Sequence, residues 1–274
     1  MPFRSLTEEQ ITEFSSAGVQ ALPGKRNPEF VLVCEHASCH VPYPWQSLGL
    51  EQHRLEQHIG WDIGAAAVTE RLSSLLSVPA FLAGYSRLFV ECNRMPHADD
   101  FVAPHSDGIE IPGNSRVCDH ERVVRHRIAF EPFRNAVSGY LDGEMDPQHR
   151  PVMVSVHSFT PSMNGADRPW PIGVLWKGCN GYAERVADEF ALREVVPVGR
   201  NEPYDPEGCE NLLIDHFAQP RNLDYVVLEI RNDLIVNDID ASYWASLAAE
   251  ALVSARLKHA NQATGQPVNV MKTQ

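Results

Sequence analysis

Unbroken apolar runs recur along the chain, and most of them end in polar, chemically capable residues. FVLVCEH (30–36) is continuous and β-branched, the pattern of a strand buried on both faces. PVMVSVHS (151–158), IGVLWKG, VVPVGRN and YVVLEIRNDL (225–234) repeat it, while PAFLAG and LFVECN predict two short strands around a turn at Gly84. Helical spacing fills the intervals. Over 62–76 the apolar residues Ile63, Ala66, Ala67, Leu72, Leu75 and Leu76 follow the helical period, and alanine favours that helix. Asp62 stands where a helix N-terminus stabilises a carboxylate. Pro79 closes the pattern, and 121–142, 182–192 and 241–257 predict further helices. A polar stretch from Met95 to about Asp119, with Pro96, Pro104, Gly108, Pro112 and Gly113, is long enough to be a functional loop. Strands alternating with helices predict an α/β fold: a mixed, mostly parallel central sheet with helices on both faces, three layers in all. No repeat or linker interrupts 1–274, which reads as a single domain.

Composition narrows the function. Lys and Arg total 23 against 36 Asp and Glu, a formal net charge of −13. Nucleic acid and anionic membrane surfaces are thereby excluded as expected partners, because both need clustered basic residues. No apolar run approaches the roughly 20 residues of a membrane span, and MPFRSLTEEQ is polar, so the cytoplasm is the expected location. The cysteines Cys34, Cys39, Cys92, Cys118, Cys179 and Cys209 lack CxxC spacing, and no disulfide framework is expected. Cys34 and Cys92 lie inside apolar runs and read as buried hydrophobes.

In open α/β sheets ligands bind beyond the carboxyl ends of strands. Four run ends carry chemistry there: Glu35-His36, Asn93-Arg94, His157-Ser158, and Glu229 within VVLEIR. Imidazoles and carboxylates are the ligands of a hydrolytic zinc, Zn2+, which keeps one position open for water. His36 and His157 are the leading ligands and Asp62 the third, with Glu35, His40 and His58 as competitors. Glu229 is the candidate general base. Pairing with Arg231 or another arginine would instead give it a purely structural role. Arg87 and Arg94 bracket LFVECN, and guanidinium groups grip carboxylates through paired hydrogen bonds, so an acidic small molecule is the expected substrate. Ser158 and Arg231 are further candidates for substrate contact. No GxSxG, GxxxxGK[ST] or GxGxxG motif occurs, which removes the serine-hydrolase elbow and the commonest nucleotide sites. RPWPIG (168–173), with Trp170, reads as site wall or core. Asn201 in NEPY reads as substrate contact or turn, and His216 as structural.

The ordered segments VCEHAS, HIGWDIGA, YSRLFVECNR, HSFTP, RPWPIGVLW, NEPY and LEIRNDLI resemble the N-formylglutamate amidohydrolase family over roughly 28–257. The resemblance implies a fold related to zinc carboxypeptidases and to the aspartoacylase and succinylglutamate desuccinylase group. It makes His36 and His157 zinc ligands, Glu229 the catalytic carboxylate, Asn93 and Arg94 a clamp on the substrate carboxylate, and Arg87 the oxyanion stabiliser. Relatives carry H-x-x-E, whereas Cys39 stands three residues after His36 here. The missing ligand is assigned to Asp62, with Cys39 as a soft alternative. The implied reaction is hydrolysis of an N-acyl acidic amino acid such as N-formylglutamate. A peptidase or other deacylase on the same site, or a non-catalytic carboxylate-binding protein, are the alternatives.

Overall fold

The computed structural model describes residues 6–264 apart from Pro147, Asn164 and Cys209, so the sixth cysteine lies outside the described residues. Seven strands form the central sheet: β1 (Val19–Leu22), β2 (Phe30–Cys34), β3 (Ala80–Ala83), β4 (Val152–Phe159), β5 (Ile172–Leu175), β6 (Val198–Arg200) and β7 (Tyr225–Arg231). Their spatial order is β1-β3-β2-β4-β7-β5-β6. The middle is parallel, β3 with β2, β2 with β4 and β4 with β7. β1 joins β3 antiparallel, and β5 joins β7 antiparallel with β6 parallel beyond it. Every residue of β2, β3, β4 and β5 is buried, which is why these runs carry no polar alternation.

Helices α1 (Ala65–Leu76), α2 (Gly181–Leu192) and α3 (Asp238–Thr264) form one layer, in which α3 packs against both α1 and α2. The helical run 119–144, with Glu8–Ser16 against it, supplies the other layer over β1 and β3. None of the described helices is long and apolar enough to cross a membrane. Cys34 and Cys92 are buried as expected, and the five described cysteines are free thiols.

Two local expectations are corrected. LFVECN is not a strand. The N–H groups of Phe89 and Val90 both donate to the Ser86 carbonyl (2.9 and 3.2 Å), and Arg94 N–H donates to Glu91 O at 3.2 Å. Asn114 Nδ2 satisfies the Leu88 carbonyl at 2.7 Å, so the segment buries Leu88, Phe89 and Val90 without needing a ladder. Asp62 is not the helix cap either. The helix starts at Ala65, after Gly64 in the left-handed region at φ +81°. A Cβ there would also strike the Ile235 carbonyl oxygen at 2.3 Å. This bend turns Asp62 away from the helix and back toward His36, whose carbonyl accepts from Asp62 N–H at 3.0 Å.

The polar stretch after Met95 is pinned rather than loose. It holds a helical turn (Asp99–Val102) and a small hairpin (His105–Ser106 with Ile109–Glu110), and Phe101 and Ile111 are fully buried. Its anchor is Arg125, fully buried between the rings of Trp45 and Phe89 at 5.7 and 5.2 Å. Arg125 donates to Glu121 Oε1 (2.6 and 3.0 Å), Asn114 Oδ1 (2.7 Å) and the Gly113 carbonyl (3.0 Å). Arg125→Met should leave Glu121 buried without its cation and cost roughly 3–5 kcal/mol in urea unfolding. A loss below about 1 kcal/mol would show that the network contributes little.

Candidate metal centre and active site

β2 and β4 run side by side, and His36 follows the end of one while His157 lies near the end of the other. Asp62 enters from the loop ahead of α1. Together they form a buried group: Asp62 Oδ2 lies 2.8 Å from His157 Nδ1 and 3.3 Å from His36 Nδ1, and the two Nδ1 atoms are 3.1 Å apart. Ligand atoms held roughly 2.0–2.1 Å from a tetrahedral ion stand about 3.3 Å from one another. The donors, two imidazole nitrogens and a carboxylate oxygen, are those zinc takes in hydrolytic sites. They fit a divalent cation.

The far side of each ring supports the same reading. His36 Nε2 meets Glu91 Oε1 at 2.5 Å, and His157 Nε2 faces Glu35 Oε2 at 3.3 Å. At His36 the hydrogen-bonded carboxylate behind the distal nitrogen favours the proton there and the Nδ1 lone pair forward, while at His157 the facing carboxylate acts through its charge. Each carboxylate is itself held. Ser155 Oγ donates to Glu35 Oε2 at 2.6 Å, Asn93 N–H to Glu91 Oε1 at 2.9 Å, and Arg87 to Glu91 Oε2 at 2.8 and 3.1 Å. Arg87 Nη1 also reaches Asp62 Oδ1 at 3.2 Å, and Ser158 N–H donates to Asp62 Oδ2 at 3.2 Å.

Glu35 Oε1 and Glu229 Oε2 are the buried carboxylate oxygens left without a hydrogen-bond partner among the described residues. Glu229 pairs in register with His157 on β7, so both side chains leave the same face of adjacent parallel strands. It is buried, yet Oε2 has no hydrogen-bond partner among the described residues. Arg231, the partner that would have made it structural, pairs instead with Asp233 at 2.8 Å. Burial is the main cause that raises the Glu229 pKa from 4.5 to about 7, and the Asp62 charge adds to it. Burial opposes charge on the imidazoles too. The carboxylates overturn that, Glu91 and Asp62 for His36 and Asp62 and Glu35 for His157, so both imidazole pKa values are raised. Of the four buried carboxylates Arg87 bonds to Glu91 and Asp62, so charge balance in the cluster leans on the imidazoles as well.

The remaining expected residues fall out as follows. Arg87 spends three N–H groups on Glu91 and Asp62, and its side chain is one-third exposed, leaving two N–H groups without a partner among the described residues. Arg94 binds Asp100 Oδ2 (3.2 Å) and the Glu210 and Asn93 carbonyls (3.1 and 3.3 Å), with Nη2 unused among the described residues. Asn93 Oδ1 accepts from Leu212 N–H at 3.1 Å. Ser158 Oγ donates to the Ile63 carbonyl at 2.8 Å and steadies the Asp62 loop rather than facing outward. Among the competitors, His40 stacks on Tyr85, His58 pairs with Asp107 at 3.0 Å, and Cys39 is not in the group. His216 pairs with Glu210 at 2.8 Å, the residue whose carbonyl accepts from Arg94.

Glu91 was not singled out by sequence reasoning. Its signal was the i, i+4 spacing from Arg87, hidden because LFVEC looked like a strand. Asn201 is a turn residue. Its N–H donates to Val174 O (3.0 Å), and its Oδ1 accepts from Trp176 N–H (2.8 Å). The next residue, Glu202, lies over Gly173, the register partner of Glu229 on β5. A Cβ at Gly173 would meet the Glu202 carbonyl oxygen at 2.0 Å. Only glycine admits this turn beside the site, and Tyr204 follows it.

Comparison with known proteins agrees with this architecture. The model of the N-formylglutamate amidohydrolase family matches residues 29–236. The structure of the gene product Atu2144 from Agrobacterium tumefaciens is 32% identical, with a TM-score of 0.84 over 88% of this chain and 96% of that one. The N-formylglutamate amidohydrolase from Ralstonia eutropha JMP134 shares the fold at 17% identity, with a TM-score of 0.65 over 89% of this chain and 99% of that one. No curated protein matches the chain.

The raised Glu229 pKa has a stability consequence in chelated protein. The folded state binds this proton more tightly than the unfolded chain. Its contribution is therefore intact below 4.5 and is lost as pH rises toward about 7. Glu229→Gln should match wild type near pH 4 and exceed it by about 2–3 kcal/mol at pH 8 in urea titrations. Equal stability at pH 8 would show that the carboxylate is not strained by burial.

Proposed function

Given that the chain belongs to the N-formylglutamate amidohydrolase family, we propose that it hydrolyses the N-acyl amide of a small acidic amino acid. N-formylglutamate or a close analogue is the intended substrate. His36, Asp62 and His157 hold a zinc ion in this reading. When bound, that ion supplies Lewis acidity, polarising the amide carbonyl and acidifying water. The observation that carries the proposal is Glu229, a buried carboxylate without a partner beside the only His-Asp-His group found among the described residues.

Glu229 takes a proton from the attacking water at Oε2 and returns it to the leaving amine nitrogen. A pKa near neutrality suits both transfers. Arg87 keeps Glu91 and Asp62 in place with three N–H groups and offers the other two to the developing oxyanion. Glu91 holds the Nε2 proton of His36 and Glu35 faces Nε2 of His157, which favours both Nδ1 atoms staying directed inward. Asn93 and the unused Nη2 of Arg94 bind the α-carboxylate of the substrate.

Activity against a panel of formyl, acetyl, succinyl and dipeptide substrates tests the reaction class. Formylglutamate should be preferred, and preference for a dipeptide would reject the assignment. Glu229→Gln should lower kcat by about a thousandfold and Arg87→Ala by about a hundredfold or more. Wild-type kcat in either variant removes that residue from the mechanism. Elemental analysis should find one zinc per chain, lost in His36→Ala and in His157→Ala. Chelator competition should show zinc affinity weakened roughly 10–100-fold in Glu91→Gln; unaltered affinity there would separate Glu91 from the metal site.

A further inference from the structure

Arg168 sits on the arm that leaves β4, just past Phe159. Its guanidinium lies between two aromatic rings, 5.9 Å from the Phe159 centroid and 5.0 Å from that of Tyr204. Nη1 donates to the Tyr204 hydroxyl at 3.2 Å and to Thr160 Oγ1 at 3.4 Å, and Nη2 lies 2.9 Å from Met163 Sδ. All of these partners are neutral. The chain has 36 acidic residues for 23 basic ones, yet no carboxylate among the described residues pairs with this cation. A partly exposed guanidinium, held rigid by rings and left without a counter-charge, is prepared for an anion.

Its location ties it to the site. Phe159 is two residues beyond His157 on the same face of β4, roughly 7 Å further along the strand. Tyr204 comes from the turn that Gly173 admits beside Glu229. Burial, and then the Glu229 and Asp62 charges, raise the phenol pKa, so its hydroxyl stays a donor within their field. Tyr204 is thus near enough for the Glu229 and Asp62 charges to act on it, and Arg168 is bonded to Tyr204 on the same flank.

We propose that Arg168, steadied by Tyr204, binds the distal carboxylate of the substrate and makes the site selective for N-acyl dicarboxylic amino acids. This rests on the hydrolase reading above and assigns a residue to its specificity. N-formyl-L-glutamate and N-formyl-L-glutamine differ only in that distal group. Calorimetry of both on the zinc-loaded full chain in the Glu229→Gln background, where turnover is blocked, measures the preference directly. The glutamate should bind at least about tenfold tighter, as expected for a charge-assisted pair. Adding Arg168→Met should bring the ratio close to one, and Arg168→Lys should retain part of it. Failure of either ligand to bind, equal binding of both, or a preference that survives Arg168→Met overturns the proposal. Arg168-dependent preference without hydrolysis by the wild-type chain would overturn the reaction class and leave this assignment standing.

Discussion

Burial of like charge sets the terms for this structure. Glu35, Asp62, Glu91 and Glu229 are all withdrawn from water within one cluster, where, among the described residues, Arg87 is the only lysine or arginine bonded to any of them, to Glu91 and Asp62. Carboxylates tolerate such a setting only with counter-charge or hydrogen bonds. Three of them have both, through the two imidazoles, Ser155, Ser158, Asn93 and Arg87. Glu229 Oε2 has no hydrogen-bond partner among the described residues, and burial raises its affinity for a proton despite the charges of His157, His36 and Arg87 nearby.

The sheet makes that unequal treatment possible. Parallel pairing of β2, β4 and β7 brings three strand ends to one edge, and the register sets Glu229 beside His157. The reversed strand β5 then presents a glycine against Glu229, so no side chain on that flank can offer a hydrogen bond. The same glycine lets the 201–204 turn close over the edge. One missing Cβ therefore leaves β5 without a side chain beside Glu229 and admits the turn that carries Tyr204.

Much of this was legible in the sequence because long apolar runs have few alternatives. β2, β4 and β7 fell where continuous β-branched segments predicted them, and so did His36, His157 and Glu229 at their ends. The family resemblance is borne out by the match over 29–236. What could not be read depends on tertiary closure. LFVEC has the composition of a strand, but its carbonyls are satisfied by its own turns and by Asn114, so no ladder forms. The antiparallel entry of β1 and β5 carries no local signature. Glu91 was missed for the same reason as the false strand, since only the turn aims it at His36.

The replacement of the expected glutamate by Cys39 has an outcome for assembly. With both early ligands on one loop, a few residues of chain can hold an ion before the fold exists. Here the candidate ligands come from positions 36, 62 and 157, three separate segments that meet only after β2 and β4 have paired. Such long-range contacts form late. A nascent or partly folded chain therefore offers no more than isolated imidazoles and a carboxylate, and the three-residue group exists only in the finished sheet.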